Sequence, residues 1–308
     1  MPASRRRSGV AAVERIETEL VLDTRAELGE GPVWDDELGR LIWVDITAGS
    51  VHRFDPVTGR DEVTVVGQPV GAAAPRSPDG LVLAVRDGFA FLDLEWGELE
   101  LVAEVEAEIF GNRMNDGKCD AAGRFWAGTM PFAGDRPSGA LYRLDRDLSV
   151  TRMVEGVTIS NGIEWSPDGR FMYYIDSPTY RVDVFDYDLE RGEIANRRTL
   201  FQLPADGGLP DGMTVDAEGL LWIAFWEAGA VRRYAPDGQL AAVIELPVSL
   251  VTSCAFGGPD LRDLYITSAS GWLSPEQAVE HPAAGGLFRA RPGVSGLPQH
   301  RFAGRDRH

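Results

Sequence analysis

The stretch Asp120-Ala-Ala-Gly123-Arg-Phe-Trp-Ala127 joins a turn, a glycine and an apolar strand, and this pattern recurs along the chain. Five copies carry the glycine, at Gly39, Gly80, Gly123, Gly169 and Gly219. A sixth copy, Asp260–Thr267, carries Arg262 at that position. The successive intervals are 41, 43, 46, 50 and 43 residues. A regular period of this length indicates a fold built from repeated supersecondary units.

A second strand pattern follows each copy, and most copies continue into a further turn and another apolar run. Val51–Asp55 and Val182–Asp186 are examples of the second strand, and Pro236–Gly238 is a turn that precedes the apolar run Gln239–Leu246. Each repeat therefore contains about four strands, with no long helical pattern between repeats. We predict an all-β fold, a six-bladed β-propeller with four-stranded blades around a central channel. A pair of β-sandwiches is the alternative, which the sixfold repeat disfavours.

The repeat also predicts the domain boundaries. We expect a flexible N-terminal leader over residues 1–14, a single propeller domain over residues 15–295 and a C-terminal tail over residues 296–308. Propellers commonly complete their last blade with a strand from the other terminus, which covers an exposed sheet edge. Arg15–Asp23 is the candidate for this role, beside Gly286–Arg289.

Composition excludes several classes of partner and chemistry. Acidic residues outnumber basic ones by 48 to 30, and the net charge of -18 disfavours nucleic acid and anionic membranes as partners. No stretch approaches the ~18 apolar residues of a membrane span. Cys119 and Cys254 have no C-x-x-C spacing, so we interpret them as small core residues and expect a reducing, cytoplasmic location. Of the four histidines, His281 alone could reach the channel mouth, which disfavours a Ser-His-Asp nucleophile system.

The strand direction predicts where polar groups converge. The innermost strand of each blade starts about eight residues before the repeat position, so all six starts face one mouth of the channel. The residues at these starts are Glu30, Gly71, Asn115, Asn161, Asp211 and Ser253. Glu30, Asn115, Asn161 and Asp211 carry oxygen atoms that suit a hard divalent cation. Singly, Asn161-Gly162 and Asp211-Gly212 are also turn sequences, but their shared repeat phase with Glu30 favours a site.

Two long loops are predicted at the same mouth, Met130–Gly139 and Ser268–Gly285. We expect them to form the walls or the lid of a pocket, with ordinary surface loops as the alternative. The second loop contains Ser274-Pro-Glu-Gln277, in which Ser is a helix cap, Pro occupies the first position and Gln can complete a capping box. This pattern predicts a short lid helix over Pro275–Glu280.

The chain resembles the regucalcin (senescence marker protein), gluconolactonase and luciferin-regenerating enzyme family in six stretches that run in order through residues 16 to 290. The stretches are Leu28–Trp34, Asn112–Lys118, Gly123–Met130, Ser160–Ile163, Leu209–Met213 and Thr252–Gly258. The resemblance implies one divalent cation held by Glu30, Asn161 and Asp211, with Ca²⁺ or Zn²⁺ expected and Mn²⁺ or Mg²⁺ as alternatives. It also implies that Arg113 and Asn115 bind the substrate and that Asp211 is the acid/base. Family members carry an acidic residue where this chain has Ala133.

These observations lead to a functional hypothesis. The chain is expected to be a metal-dependent hydrolase that opens a sugar lactone to its aldonic acid, as a gluconolactonase does. In this hypothesis the cation polarises the lactone carbonyl, and Asp211 or water activated by the cation supplies the base. Two alternatives stay open at this point, since fold does not determine function. One is a phosphotriester or ester hydrolase that uses the same site, and the other is a noncatalytic propeller that binds calcium or a protein partner.

Overall fold

A computed structural model describes residues 14–304, and nearly all of their regular structure is β-strand. The chain begins with two short strands, β1 Glu14–Ile16 and β2 Thr18–Leu22. Four consecutive strands then form each of the first three sheets, which are the first three blades. Blade one contains β3 Gly29–Asp35, β4 Arg40–Asp45, β5 Ser50–Phe54 and β6 Asp61–Val65. Blade two contains β7 Val70–Pro75, β8 Leu81–Val85, β9 Gly88–Leu92 and β10 Leu99–Glu104. Blade three contains β11 Asn112–Cys119, β12 Phe125–Pro131, β13 Gly139–Leu144 and β14 Val150–Val157.

The second half of the chain forms three further sheets. Blade four contains β15 Ser160–Trp165, β16 Phe171–Asp176, β17 Arg181–Asp188 and β18 Glu193–Gln202, with a 3-10 turn over Ser177–Thr179. Blade five contains β19 Leu209–Val215, β20 Leu221–Trp226, β21 Ala230–Tyr234 and β22 Leu240–Glu245. Blade six contains β23 Val251–Gly257, β24 Asp263–Ser268 and β25 Leu287–Ala290.

The six sheets form a closed ring. Each first strand of a blade contacts the first strand of the next blade, and β23 of blade six contacts β3 of blade one. One apolar cluster lies between each pair of adjacent blades. Trp43, Trp126 and Trp222, all in second strands, are fully buried in these layers. The predicted six-bladed, four-stranded propeller is therefore confirmed, and its core lies between the blades.

The N-terminal segment covers the edges of two blades. β2 pairs antiparallel with β25, so residues Thr18–Leu22 complete blade six as predicted. β1 pairs in parallel with β22 and adds a fifth strand to blade five. The segment predicted as one strand, Arg15–Asp23, is thus divided between two blades because the chain crosses from one sheet edge to the next at Glu17. Glu14, which the prediction assigned to the leader, pairs with Ala242; the rest of that leader lies outside the described residues.

Residues 296–304, which the prediction assigned to a tail, pack across the end of the propeller opposite the mouth. Phe302 is fully buried against Phe91, with ring centroids 5.8 Å apart. Its backbone N–H donates to the Pro75 carbonyl, and its carbonyl accepts from the N–H of Ser77. Arg301 forms an ion pair of 2.7 Å with buried Asp35. The packed body therefore extends beyond the boundary placed at residue 295.

Smaller sequence predictions have clear outcomes. The helix α1 spans Pro275–Glu280, with a complete capping box formed by Ser274 and Gln277. Cys119 and Cys254 are free thiols and lie in the apolar core, as predicted. Over the part of the chain that the structure describes, no helix has the length and apolar character that a bilayer span requires.

Candidate active site

All six innermost strands contain a one-residue bulge near their starts. The register shifts lie between Glu30 and Val33, Val70 and Ala72, Met114 and Gly117, Asn161 and Ile163, Pro210 and Met213, and Val251 and Ser253. A bulge bends the strand and turns side chains away from the regular alternation. Asn161-Gly162 and Asp211-Gly212 lie within strands at these bulges, so the interpretation of these pairs as turns is wrong.

The glycines at the bulges allow neighbouring strands to approach each other closely. A Cβ atom on Gly71 would lie 2.3 Å from the carbonyl oxygen of Asn115, and one on Gly162 would lie 2.8 Å from that of Asp211. A Cβ atom on Gly212 would lie 2.1 Å from the Oγ of Ser253. At the position where the other blades carry a side chain, blade two therefore carries Gly71, which leaves room for the backbone of Asn115.

The five predicted site residues line one cavity at the mouth of the channel. Its volume is about 290 Å³, and it is lined by Glu30, Arg113, Asn115, Asn161 and Asp211 together with residues of the walls. All five side chains are buried, with exposed fractions between 3% and 8%. The repeat phase also selected Gly71 and Ser253, but neither is among the described residues that line this cavity. The structure thus brings together every predicted ligand and substrate-binding residue, while their roles stay predictions.

Hydrogen bonds fix the amide groups on the side of blades three and four. Arg113 Nη1 donates to Asn115 Oδ1 at 2.5 Å. Asn115 Nδ2 donates to Asn161 Oδ1 at 3.1 Å and to the Ser160 carbonyl at 2.7 Å. Asn161 Nδ2 in turn donates to Ser177 Oγ at 2.8 Å. This network holds the polar side chains in place before a ligand arrives, which is the condition for preorganised binding.

The electrostatics of the cavity are dominated by buried carboxyl groups. Burial, with the nearby Asp116 carboxylate, raises the pKa of Glu30 to about 8. Burial and the facing Glu30 carboxyl group raise the pKa of Asp211 well above its ordinary value. Burial also lowers the pKa of Arg113 to about 10, so its guanidinium stays charged at neutral pH. If Glu30 and Asp211 were both ionised, their two negative charges would exceed the single positive charge of Arg113.

This arrangement fits a bound divalent cation. The Oδ1 atom of Asp211 is buried and has no hydrogen-bond partner within residues 14–304. The two carboxylates and the Asn161 amide supply oxygen atoms, the donors that hard divalent cations prefer. Three or more His, Cys, Asp or Glu side chains do not cluster as a metal site anywhere in the described chain. The candidate donor set differs from such a cluster because an amide replaces the third acidic or imidazole ligand.

Buried polar groups hold the segments that enter the mouth. Asp45 accepts hydrogen bonds from the backbone N–H groups of Glu27 and Leu28, at 2.8 and 3.1 Å. Thr252 Oγ1 donates to the carbonyl of Gly29 at 2.6 Å. These bonds anchor the start of β3 on both sides, and they therefore position the Glu30 side chain that follows.

The walls include residues that the sequence analysis did not select. The two long loops contribute as predicted, with Phe132, Ala133 and Gly134 from the first and Trp272 from the second. None of the described residues of α1 lines the cavity, so the predicted lid role of this helix is not seen. His281 contacts the Pro247 carbonyl instead of the cavity. Further lining residues are Leu28, Met130, Ile159, Ser177, Leu209 and Trp226.

One signal could have identified part of these walls. The second strand of each blade runs back toward the mouth, so residues at its end belong at the same level as the start of the first strand. Trp226 ends β20, and Ser177 directly follows β16. The same direction argument that selected Glu30 applies to both residues. Trp272 has no such signal because its position depends on the path of a long loop.

Comparisons with known proteins agree with the described fold. The family model described as SMP-30/Gluconolactonase/LRE-like region matches residues 28–270. Regucalcin from Xenopus laevis is 41% identical over 296 residues, which cover 94% of this chain and 99% of the relative. A solved calcium-binding protein, regucalcin, from Agrobacterium tumefaciens superposes with a TM-score of 0.90 at 31% identity, covering 95% of this chain and 99% of that one. A solved luciferin-regenerating enzyme gives a TM-score of 0.87 at 33% identity, covering 93% and 99%.

Proposed function

The chain belongs to the SMP-30/gluconolactonase/LRE-like family, and from this premise we propose that it is a metal-dependent hydrolase that opens a sugar lactone to the aldonic acid. Family membership supports a lactonase-type function. One observation supports the finer proposal most strongly: Glu30 and Asp211 face each other in a buried cavity that also contains Arg113 and Asn115. In this proposal the two carboxylates bind the cation, and Arg113 and Asn115 hold the polar substrate beside it.

In this proposal Glu30, Asn161 and Asp211 hold one divalent cation. Two observations support this assignment: Asp211 Oδ1 has no hydrogen-bond partner among the described residues, and the solved Agrobacterium tumefaciens relative is described as a calcium-binding protein. When bound, such an ion supplies Lewis-acid polarisation of a carbonyl group and lowers the pKa of a water molecule. Ca²⁺, Zn²⁺, Mn²⁺ and Mg²⁺ are the candidates, since oxygen donors accept all four.

Asp211 supplies the proton transfer. Its carboxylate accepts a proton from the attacking water as the water oxygen forms a bond to the lactone carbonyl carbon. When the bond between that carbon and the ring oxygen breaks, Asp211 returns the proton to the ring oxygen, which becomes a hydroxyl group. The products are the carboxylic acid and the alcohol of one open chain, so atoms and protons balance.

Arg113 and Asn115 orient the substrate and stabilise charge. The Arg113 guanidinium is buried and charged, and its Nη1 group donates to Asn115 Oδ1 and to the Met114 carbonyl. Within residues 14–304 no hydrogen bond engages its other donors, which can bind oxygen atoms of the lactone. A positive group beside the carbonyl favours the oxyanion that develops during attack. Preorganised donors of this kind contribute about 3–4 kcal/mol to transition-state stabilisation in other hydrolases.

The experiment that tests this function is a pH-stat assay of metal-stripped protein. The substrates are aldonolactones with five- and six-membered rings and one phosphotriester, and Ca²⁺, Zn²⁺, Mn²⁺ and Mg²⁺ are added back separately. We expect acid release from at least one aldonolactone that depends on the added cation. Hydrolysis of the phosphotriester alone would contradict the proposal, as would tight calcium binding without hydrolysis of any substrate.

A further inference from the structure

Polar and apolar groups occupy different depths of the cavity. The five polar side chains of the floor are almost fully buried. Phe132 and Trp272 lie at the rim, with exposed fractions of 52% and 55%. A ligand that reaches the floor with its reactive carbonyl therefore has its opposite end against the walls and the rim.

The walls consist mainly of apolar side chains on two sides. On one side, Ile159 and Met130 pack around Gly134, where a Cβ atom would lie 3.1 Å from Ile159 Cδ1 and 3.7 Å from Met130 Cε. On the other side, the rings of Trp226 and Trp272 meet edge to face, with centroids 5.7 Å apart. Ala133, Leu28 and Leu209 complete the apolar lining.

Few groups on the walls can bind a hydroxyl group of a ligand. The indole N–H groups of Trp226 and Trp272 donate hydrogen bonds but accept none. Among the described lining residues, side-chain oxygen atoms belong to Ser177 and the floor residues, and many of these are already engaged with one another. A hydroxyl group pressed against the apolar side chains of the walls would lose water and find few side-chain acceptors, which disfavours its binding.

We infer that the preferred substrate is a sugar lactone whose end remote from the carbonyl is apolar, as in a 6-deoxyaldonolactone. This inference rests on the proposed lactone hydrolysis and specifies its substrate class. Arg113 and Asn115 bind the oxygen atoms around the carbonyl, while the methyl group of the deoxy sugar packs against the apolar walls. A fully hydroxylated aldonolactone places a hydroxymethyl group there instead.

The test uses pairs of lactones that differ by one oxygen atom. D-fucono-1,4-lactone is compared with D-galactono-1,4-lactone, and L-rhamnono-1,4-lactone with L-mannono-1,4-lactone, each with the cation that gives the highest activity. Two pairs are needed because the ring stereochemistry of one pair could be unsuitable. We expect the deoxy member to have a kcat/KM about ten- to a hundredfold higher in at least one pair, the range that one added or missing group in an apolar pocket produces.

Two variants connect this preference to the walls. Ala133→Glu places an acceptor on the apolar wall, and we expect it to shift the kcat/KM ratio about tenfold toward the hydroxylated lactone. Trp272→Ala removes the rim ring, and we expect it to raise KM for the deoxy lactone more than for its partner. Val279→Ala, at an 81% exposed position of α1 outside the cavity, is the control that leaves the ratio unchanged.

The outcomes separate this inference from the function on which it rests. Equal or higher kcat/KM for the hydroxylated member of both pairs would overturn the inference and leave lactone hydrolysis standing. An unchanged ratio in Ala133→Glu, with the variant folded and active, would also overturn it. If none of the four lactones and none of the aldonolactones in the pH-stat assay is hydrolysed, the proposed function itself is overturned.

Discussion

At the scale of single residues, Asp211 is a buried carboxyl group whose surroundings oppose its ionisation. It lies at a bulge, its Oδ1 atom has no hydrogen-bond partner in residues 14–304, and burial and Glu30 together raise its pKa. Proteins rarely retain a buried carboxyl group in this state without a counter-charge or a chemical role. The proposed cation supplies the counter-charge, and the proposed proton transfer supplies the role.

The first prediction concerns Asp211→Asn. The amide keeps an oxygen ligand but cannot accept the proton of the attacking water, so we expect kcat to fall by about 10²–10⁴-fold. The measurement is kcat in the pH-stat assay, with the metal content of the same sample determined by mass spectrometry. Asp260→Asn, at an exposed hairpin position, is the matched control. Full activity in metal-loaded Asp211→Asn would exclude the role of this residue as base.

The second prediction concerns Glu30 and pH. In the metal-free protein the Glu30 carboxyl group has a pKa of about 8, compared with 4.5 for an ordinary glutamate. Between these values the folded state binds a proton that the unfolded state releases, so the free energy of unfolding falls as pH rises. We expect the Tm in EDTA to decrease from about pH 5 to about pH 8.

Two comparisons check the origin of this pH dependence. Glu30→Gln removes the titrating group, and its Tm should vary less over the same range. A saturating divalent cation should reverse the trend, because cation binding requires the deprotonated carboxylate. A wild-type slope that persists in Glu30→Gln would assign the effect to another group.

At the scale of elements, the innermost strand with its bulge is the unit that builds the site. The bulge occurs in all six blades, so the fold supplies six equivalent positions around the channel. Blades one, three, four and five use these positions for polar side chains. Blade two uses Gly71 to make room for its neighbour, and blade six places Ser253 against Gly212. The function therefore depends on how each blade fills a common structural position.

The third prediction tests this spacing with Gly71→Ala. The added methyl group would lie 2.3 Å from the Asn115 carbonyl oxygen, so β7 and β11 must separate. We expect destabilisation of about 1–3 kcal/mol, the usual result of overpacking, and a lower kcat/KM because Asn115 is displaced. Chemical denaturation and the lactone assay measure the two effects.

A control at another repeat glycine separates packing from general sensitivity. Gly39→Asn lies in the first hairpin turn, where a side chain would meet nothing within 4 Å. Asn tolerates the left-handed backbone at this position, which has a φ of 63°. We expect a small change in stability and unchanged kcat/KM. Similar losses in both variants would contradict the proposed close approach of the strands.

At the scale of the whole molecule, the two ends of the described chain complete the ring. The N-terminal strands cover the edges of blades five and six. Residues 296–304 lie across the opposite end of the channel and contact blades one, two and three through Asp35, Pro75 and Gly123. These contacts join parts of the chain that are distant in sequence, so the ring is stabilised as one unit.

The fourth prediction concerns Phe302→Ala. Phe302 is fully buried in the apolar cluster between blades two and three, so we expect a loss of about 3–5 kcal/mol in the free energy of unfolding. KM should stay unchanged because this residue lies at the end of the channel remote from the site. Phe110→Ala removes the same side chain from an 88% exposed position and should change stability by less than about 0.5 kcal/mol. Equal stability of the two variants would contradict the contribution of the C-terminal segment to the core.

The sequence by itself determined the number of blades, the direction of their strands and the level of Glu30, Asn115, Asn161 and Asp211. It could do so because turn glycines and apolar strands are local signals that repeat at a regular interval. Only the tertiary structure decided that Gly71 provides space, that Trp272 packs against Trp226 at the rim, and that Phe302 belongs to the core. It alone also brought Glu30 and Asp211 face to face in a buried cavity. These properties depend on contacts between side chains far apart in the chain, and burial and charge act only after folding has removed water from between them.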